Sequence, residues 1–472
     1  MEMETEPPPA PDPCAPVAAL PVAAPAVVAA AVSRAGAPVQ GPPRHVLPLP
    51  HRRPQGAGPA EQGRLVEAAA AAVPRHRPRV APLLCDSIRE HGKVSLSWFG
   101  PIPKVTIADP ELARSVLSDK SGHFEKPKFP ALWRLLANGL LNHEGDKWVK
   151  HRRLLNPAFH LEKIKCMLPE FSACCEELVR RWTESIGSDG TRELDIWPEL
   201  KNLSLPTPNN RRMYQVNNEI ESIIRSLIVK RTKAIKEGER TKDDLLSLLL
   251  KSNMMHIDNN GQSDMGMTIE DVIEECKTFF LAGMETTSVL LTWTMIVLSM
   301  HPEWQNRARE EVLDLFGKSK PGYEGLNRLK TVTMILYEVL RLYPPSIHFS
   351  RKTCKEVMIG DKTYPAGMMI ELSVLLMHHD PDIWGSDVHE FKPERFAEGI
   401  SKASNNSGAF LPFGWGPRIC IGHNFALIEA KMAICMILQS FDFMLASSYT
   451  HAPYTMVTLH PMHGAQIRLG LI

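Results

Sequence analysis

Phe413-Gly-Trp-Gly-Pro-Arg-Ile-Cys-Ile-Gly422, running directly into His423-Asn-Phe-Ala-Leu-Ile-Glu-Ala-Lys431, is the stretch on which the reading of this chain turns. An irregular, glycine-rich loop passes here into an apolar helical repeat, so the Cys420 thiol stands at a helix start. Backbone N–H groups and the helix dipole at that position favour thiolate, the form that binds metals. Glycines at 414, 416 and 422 let the backbone approach a flat ligand with no Cβ in the way. Arg418 offers a fork of donors to a carboxylate. A single cysteine in a long chain is more often an inert buried residue than a ligand, so the other signatures must agree.

Phe413, Gly416, Arg418, Cys420 and Gly422 specify five positions out of ten. The pattern resembles the haem-binding loop of cytochromes P-450, in which the cysteine is the axial iron ligand. The resemblance implies a mainly α fold with small β-sheets, a helical prism around a buried haem b, with Phe413, Gly416, Arg418, Cys420 and Gly422 at the cofactor.

Composition agrees with a large core and excludes an overall field for nucleic acid: 44% of the 472 residues are hydrophobic, and 54 Lys+Arg face 53 Asp+Glu. The nine cysteines are scattered, with no Cys-x-x-Cys pair, which argues for reduced thiols. Residues 1–78, rich in Pro and Ala, are expected to be disordered. Val17–Val32 is interrupted by Pro21 and Pro25 and falls short of the roughly 20 residues a membrane helix needs, so it does not read as a convincing anchor. Glu2, Glu4 and Glu6 stand where a signal peptide carries basic residues.

From Arg79 the pattern becomes regular. Ala81–His91 predicts a helix, Val94–Phe99 and Lys104–Ile107 a hairpin turned by Gly100–Pro103, and Asp109-Pro110 a capped helix start. Trp148 and Arg152 lie four apart on one helical face, where an indole N–H and a guanidinium can reach one anion. A Trp packed on an Arg stem is the ordinary alternative; the resemblance makes the pair partners of a haem propionate. Leu161–Ile186 predicts an amphipathic helix. At Leu203-Ser204 the chain then passes straight into Leu205-Pro-Thr-Pro. In the plant proteins it resembles, these pieces are separated by the rest of one helix, a whole second helix and its loop. Residues 79–472 therefore read as a P-450 domain with an internal deletion at 204–205, removing part of the substrate roof. A skipped exon or faulty gene model explains it most simply, and losing such a face costs several kcal/mol.

Asn210–Ile235 predicts a charged helix and Met254–Met267 a surface loop. Thr268-Ile-Glu-Asp271 then caps an apolar helix running to about Met300. Inside it Ala282-Gly-Met-Glu-Thr-Thr287 sets a small pair, an acid and two hydroxyls into an apolar run. Back-bonding by the threonines is the plain reading. The matching family signature implies instead that Thr286 hydrogen-bonds bound dioxygen and Glu285 relays protons. Glu338 and Arg341, three apart, with Arg395 in Pro393-Glu-Arg-Phe396, resemble the family's structural lock. Arg351 becomes a second propionate partner, and Ile347 and Phe349 candidate substrate contacts. His378-His379-Asp380 lacks a complete ligand set and reads as a helix-end turn. Phe425–Leu445 predicts a helix and Tyr454–Leu469 a hairpin beside the substrate.

The resemblance, closest to the plant branch of secologanin synthase-like enzymes and triterpenoid oxidases, implies a monooxygenase. It would insert one oxygen atom from O2 into a lipophilic terpenoid or hormone-like molecule. NADPH would supply electrons through NADPH-cytochrome P-450 reductase, at the cytosolic face of the endoplasmic reticulum membrane. Two alternatives stand beside it: a non-catalytic haem protein crippled by the missing block, and a reductase-independent peroxide isomerase.

Overall fold

Apolar residues recurring every three to four positions make more than half of the described residues helical. The computed structural model describes residues 80–128, 138–187, 190–201, 210–237, 245–258, 266–406 and 408–472. The segment 1–78 and the junction at 204–205 lie outside the described residues.

Helix α1 (Pro82–His91) leads to β1 (Val94–Phe99) and β2 (Ile102–Ile107). Phe99 pairs with Ile102, so the turn is Gly100-Pro101, two residues shorter than expected, because Ile102 and Pro103 join the ladder. The Asp109 carboxylate accepts the N–H groups of Glu111 and Leu112, each at 2.9 Å, and so starts α2 (Pro110–Ser118). There follow β3 (Phe124–Glu125), α3 (Gly145–Leu155), α4 (Leu161–Ser185), β4 (Thr191–Asp195), α5 (Ile196–Lys201), α6 (Asn210–Lys236) and α7 (Leu245–Asp258). Helix α7 runs on into the loop expected from Met254.

Helix α8 (Ile269–Met300) is the axis of the molecule. Thr268 and Asp271 close a reciprocal cap, Asp271 N–H to Thr268 Oγ1 at 3.0 Å and Thr268 N–H to Asp271 Oδ2 at 3.2 Å. From Thr287 to Met300 every residue is buried, so a helix long and apolar enough to cross a membrane is here a core helix. Against it pack α5, α6, α9 (Pro302–Phe316), α11 (Thr331–Leu342) and the helix that opens at His423, and on this last one lie α4 and α10 (Tyr323–Arg328).

Next come β5 (Phe349–Thr353), β6 (Val357–Ile359), β7 (Lys362–Tyr364), β8 (Met369–Leu372), α12 (Val374–His378) and α13 (Pro381–Trp384). The chain closes with α14 (His423–Ser440), β9 (Phe441–Leu445), β10 (Pro453–Thr455), β11 (Leu459–Pro461) and β12 (Gln466–Leu471). The helix expected to Leu445 ends at Ser440, because buried Phe441, Phe443 and Leu445 alternate as a strand does. The expected terminal hairpin is β10–β11 alone; β12 joins another sheet.

The main sheet is ordered β1-β2-β8-β5-β3, with β2 and β8 parallel and the other pairs antiparallel. A second sheet places β12 between β4 and β9, Gln466 opposite Asp195 and Leu471 opposite Phe441. The loop ahead of α14 lies against α2 and the sheet's apolar face, where Leu117, Ile370 and Leu411 are buried together.

Candidate functional site

The Cys420 loop is folded on itself. Cys420 N–H donates to Phe413 O at 2.9 Å, Ile419 N–H to Gly416 O at 3.1 Å and Gly414 N–H to Leu411 O at 3.1 Å. Gly414 and Gly416 hold φ of +74° and +71°. Gly416 has a packing reason as well: a Cβ there would stand 2.4 Å from Leu117 O, against α2. At Gly422 a Cβ would meet only Phe159 at 3.9 Å and Cys420 Sγ at 4.0 Å.

Cys420 is accessible, yet protein surrounds its thiol, so it opens on a recess within the fold. Burial raises the thiol pKa above its ordinary value, against the backbone N–H of Gly422 and the charges of Arg152 and Lys126. The expected preference for thiolate at this helix start is thus outweighed by desolvation in the protein alone.

Cations converge on the same place. Arg152, from α3, donates Nη1–H to Ile419 O and Nε–H to Asn156 Oδ1, each at 2.8 Å. Arg418 donates to His143 O at 3.1 Å, pairs with Glu144 and lies 4.3 Å over the Trp148 ring. Trp148 therefore stacks on Arg418, where the helical spacing had paired it with Arg152. Arg351, buried in β5, is pushed down to about 10 by burial and then by Arg418. Lys126, which the sequence reading did not single out, is pushed down to about 7 by burial and then by Arg418 and Arg351. Four cations crowd together with Glu144 as the carboxylate set against them. Such a cluster calls for an anionic group, and a thiol beside it for a metal. An iron macrocycle carrying two carboxylates fits both demands.

On α8, the Thr286 hydroxyl donates to Ala282 O at 2.7 Å, the back-bonding of the plain reading. Glu285 does not face water; it is buried and accepts a hydrogen bond from Thr458 Oγ1 at 2.9 Å. Nothing local in the sequence links positions 285 and 458.

Glu338 and Arg341, fully buried on α11, form a bidentate pair at 2.7 and 2.8 Å. Arg395 Nε lies 3.4 Å from Glu338 Oε1, while its other donors go to Trp384 O and Asp387. Arg341 also donates to His378 O at 2.9 Å, and His378 Nε2 accepts Leu411 N–H at 3.0 Å. A continuous chain of contacts thus joins the Glu338–Arg341 pair to the root of the Cys420 loop. His378 closes α12, as a helix-end turn should.

A buried trio went unread in the sequence. Glu275 accepts His151 Nδ1–H at 2.7 Å and Leu140 N–H at 2.9 Å, with His143 Nε2 at 3.8 Å. Its ligand-type atoms lie within 4.8 Å of one another. The His151–Glu275 bond ties α3 to α8, a structural use that accounts for two of the three members.

The fold and the site define a helical protein that sets a cysteine thiol and a cationic cluster around one recess, the arrangement of a haem-thiolate protein. The sequence model of the cytochrome P-450 family matches residues 83–204 and 194–461. Cytochrome P-450 CYP72A616 of Paris polyphylla is 52% identical over 442 residues, covering 84% of this chain and 85% of its own. An 11-oxo-beta-amyrin 30-oxidase of Glycyrrhiza uralensis is 46% identical over 438 residues, covering 83% of each. A crystal structure of a cytochrome P-450, CYP102L1, superposes with a TM-score of 0.72 at 21% identity, covering 84% of this chain and 96% of that one. The chain belongs to the cytochrome P-450 family, among plant members that include triterpenoid oxidases. It is a monooxygenase whose cofactor is haem with a cysteine thiolate ligand, supplied with electrons from NADPH by a reductase.

Proposed function

We propose that Cys420 is that thiolate, and that Lys126, Arg152, Arg351 and Arg418, with Trp148 beneath Arg418, hold the haem carboxylates. The convergence of one thiol and four cations on a single recess is the observation that carries this reading. When bound through a thiolate, haem activates O2 for insertion of one oxygen atom into a carbon–hydrogen bond. The chain's own residues bind, orient and handle protons: Glu285 carries a proton at its carboxyl, Thr286 turns its lone pairs outward, and Glu338, Arg341 and Arg395 hold the loop through His378. Phe413, Gly416 and Gly422 shape the loop around the ligand sulfur.

The substrate is a lipophilic terpenoid or hormone-like molecule bordered by Ile347 and Phe349. The names of the Glycyrrhiza uralensis and Medicago truncatula relatives, both 11-oxo-beta-amyrin 30-oxidases, support a triterpenoid-like shape. The electron donor is NADPH-cytochrome P-450 reductase, docking on Lys and Arg near the thiolate face at the endoplasmic reticulum membrane.

A second reading, a haem protein that does not turn over, has its own support. The family model stops at residue 204 and resumes from residue 194, so it breaks where the deletion was read. The 442 positions aligned with the Paris polyphylla relative draw on about 396 residues of this chain, leaving some 46 positions without a counterpart. Phe280 on α8 is 41% exposed, and Ile223 and Leu227 on α6 are exposed 60% and 45%, as faces that have lost a cover would be.

The deciding experiment is the carbon monoxide difference spectrum of the reduced, haem-loaded chain. A thiolate-type Soret band that disappears in Cys420→Ser is the expected result; a band unchanged by that substitution overturns the assignment. NADPH oxidation with reductase and a triterpenoid then separates the two readings.

A further inference from the structure

Glu285 and Thr458 are 173 positions apart, yet their side chains meet at 2.9 Å, both buried. Thr458 sits in the turn between β10 and β11, and that turn is fixed from two directions. Trp293 Nε1–H of α8 donates to Leu459 O at 2.7 Å, and Leu459 N–H donates to Pro345 O at 3.1 Å. Trp293 is itself held by Tyr343, stacked at a centroid distance of 4.3 Å, and Trp197 stacks on His460 at 5.3 Å. The backbone on the C-terminal side of Thr458 is therefore immobilised against α8 and the end of α11. Its hydroxyl is the group of this turn bonded to the acid of Ala282–Thr287.

A carboxyl on a helix has freedom about three torsions, and one hydrogen bond from a rigid partner selects among its rotamers. We propose that Thr458 is a positioning residue for Glu285, so that the β10–β11 turn sets where the proton-carrying carboxyl of α8 points. Met456–Leu459 are the residues of this hairpin expected at the substrate cavity. This inference rests on the reading of Glu285 as the proton carrier.

The test compares Thr458→Val, which keeps shape and loses the hydroxyl, with Thr458→Ser, which restores it, and with Glu285→Gln. The readout is the C–O stretching band of the reduced carbon monoxide complex by infrared spectroscopy, which senses polar groups over the iron. Glu285→Gln and Thr458→Val are each expected to shift or split the band, with Thr458→Ser matching the wild type. Hydrogen peroxide formed per NADPH should rise roughly tenfold in Thr458→Val, the equivalent of ~1.4 kcal/mol.

A Thr458→Val band identical to wild type, where Glu285→Gln shifts it, overturns the Thr458 link and leaves Glu285 in its role. An unshifted Glu285→Gln band removes that role itself, and this inference with it. The contact can also be read without haem, by a double-mutant cycle on the denaturation midpoint. Bonded partners give a double variant little worse than the worse single one, and strictly additive losses overturn the proposal.

Discussion

Replacing Gly416 by alanine tests whether the loop glycines serve the cofactor or the fold. The backbone at 416 has φ +71°, and the new Cβ would stand 2.4 Å from Leu117 O and 3.1 Å from Ser118 Cα, both backbone atoms. A non-glycine residue in that conformation costs roughly 1–2 kcal/mol, and relieving an overpacked contact about 1–3 kcal/mol more. At about 2.1 cal/mol/K per residue over the roughly 360 described residues, a loss of ~2–5 kcal/mol lowers the thermal midpoint by about 3–7 °C. Gly422 is the internal control: its φ is −90°, and a Cβ there meets nothing closer than 3.9 Å. Scanning calorimetry of haem-free and haem-loaded forms should therefore find Gly416→Ala destabilised in both, and Gly422→Ala close to wild type without haem. A Gly416→Ala midpoint within 1 °C of wild type in the haem-free form would refute the packing argument.

Two further substitutions probe the groups beneath the loop. Glu338→Gln leaves the buried Arg341 guanidinium without its anion and should cost about 3–5 kcal/mol in urea unfolding; a loss below ~1 kcal/mol would mean that the carbonyls of His378 and Val388 suffice. Burial, and then Arg341, hold His378 at about 3 against an ordinary 6.5. Between those values the unfolded chain binds the extra proton, so stability falls as pH drops below ~6.5, by up to about 1.4 kcal/mol per unit. Urea midpoints of wild type and His378→Gln, whose amide oxygen can still accept Leu411 N–H, should diverge between pH 6.5 and 4. Parallel curves would show that the imidazole titrates without consequence.

What the sequence made legible was local. The cap at Asp109, the reciprocal cap at Thr268 and Asp271, and the Glu338–Arg341 spacing each depend on residues within one helical turn, and the structure keeps them all. The partners of Arg152 and Arg418 lie 267, 275 and 274 positions away, at Ile419, His143 and Glu144. No periodicity reports such meetings: helical spacing offers Trp148 its neighbour Arg152, while the cation over its ring comes from the Cys420 loop. That Leu117 O also demands a glycine at 416 is invisible without the fold. Lys126 escaped notice because a lysine in Phe124-Glu-Lys-Pro-Lys128 looks solvated until three arginines are placed around it. Helix α7 overran its expected end, since the polar run after Met254 resembles a loop and the Asn253 side chain bonds to Met267 main chain, N–H to Oδ1 at 2.7 Å, across the intervening residues.

The central place of β12 between β4 and β9 bears on how the chain comes off the ribosome. Thr191–Asp195 must wait for Gln466–Leu471, more than 270 residues later in synthesis, before its ladder can close. Until then β4 and the α5 that follows it have only half a scaffold, which leaves this region of the nascent chain open to quality-control proteases.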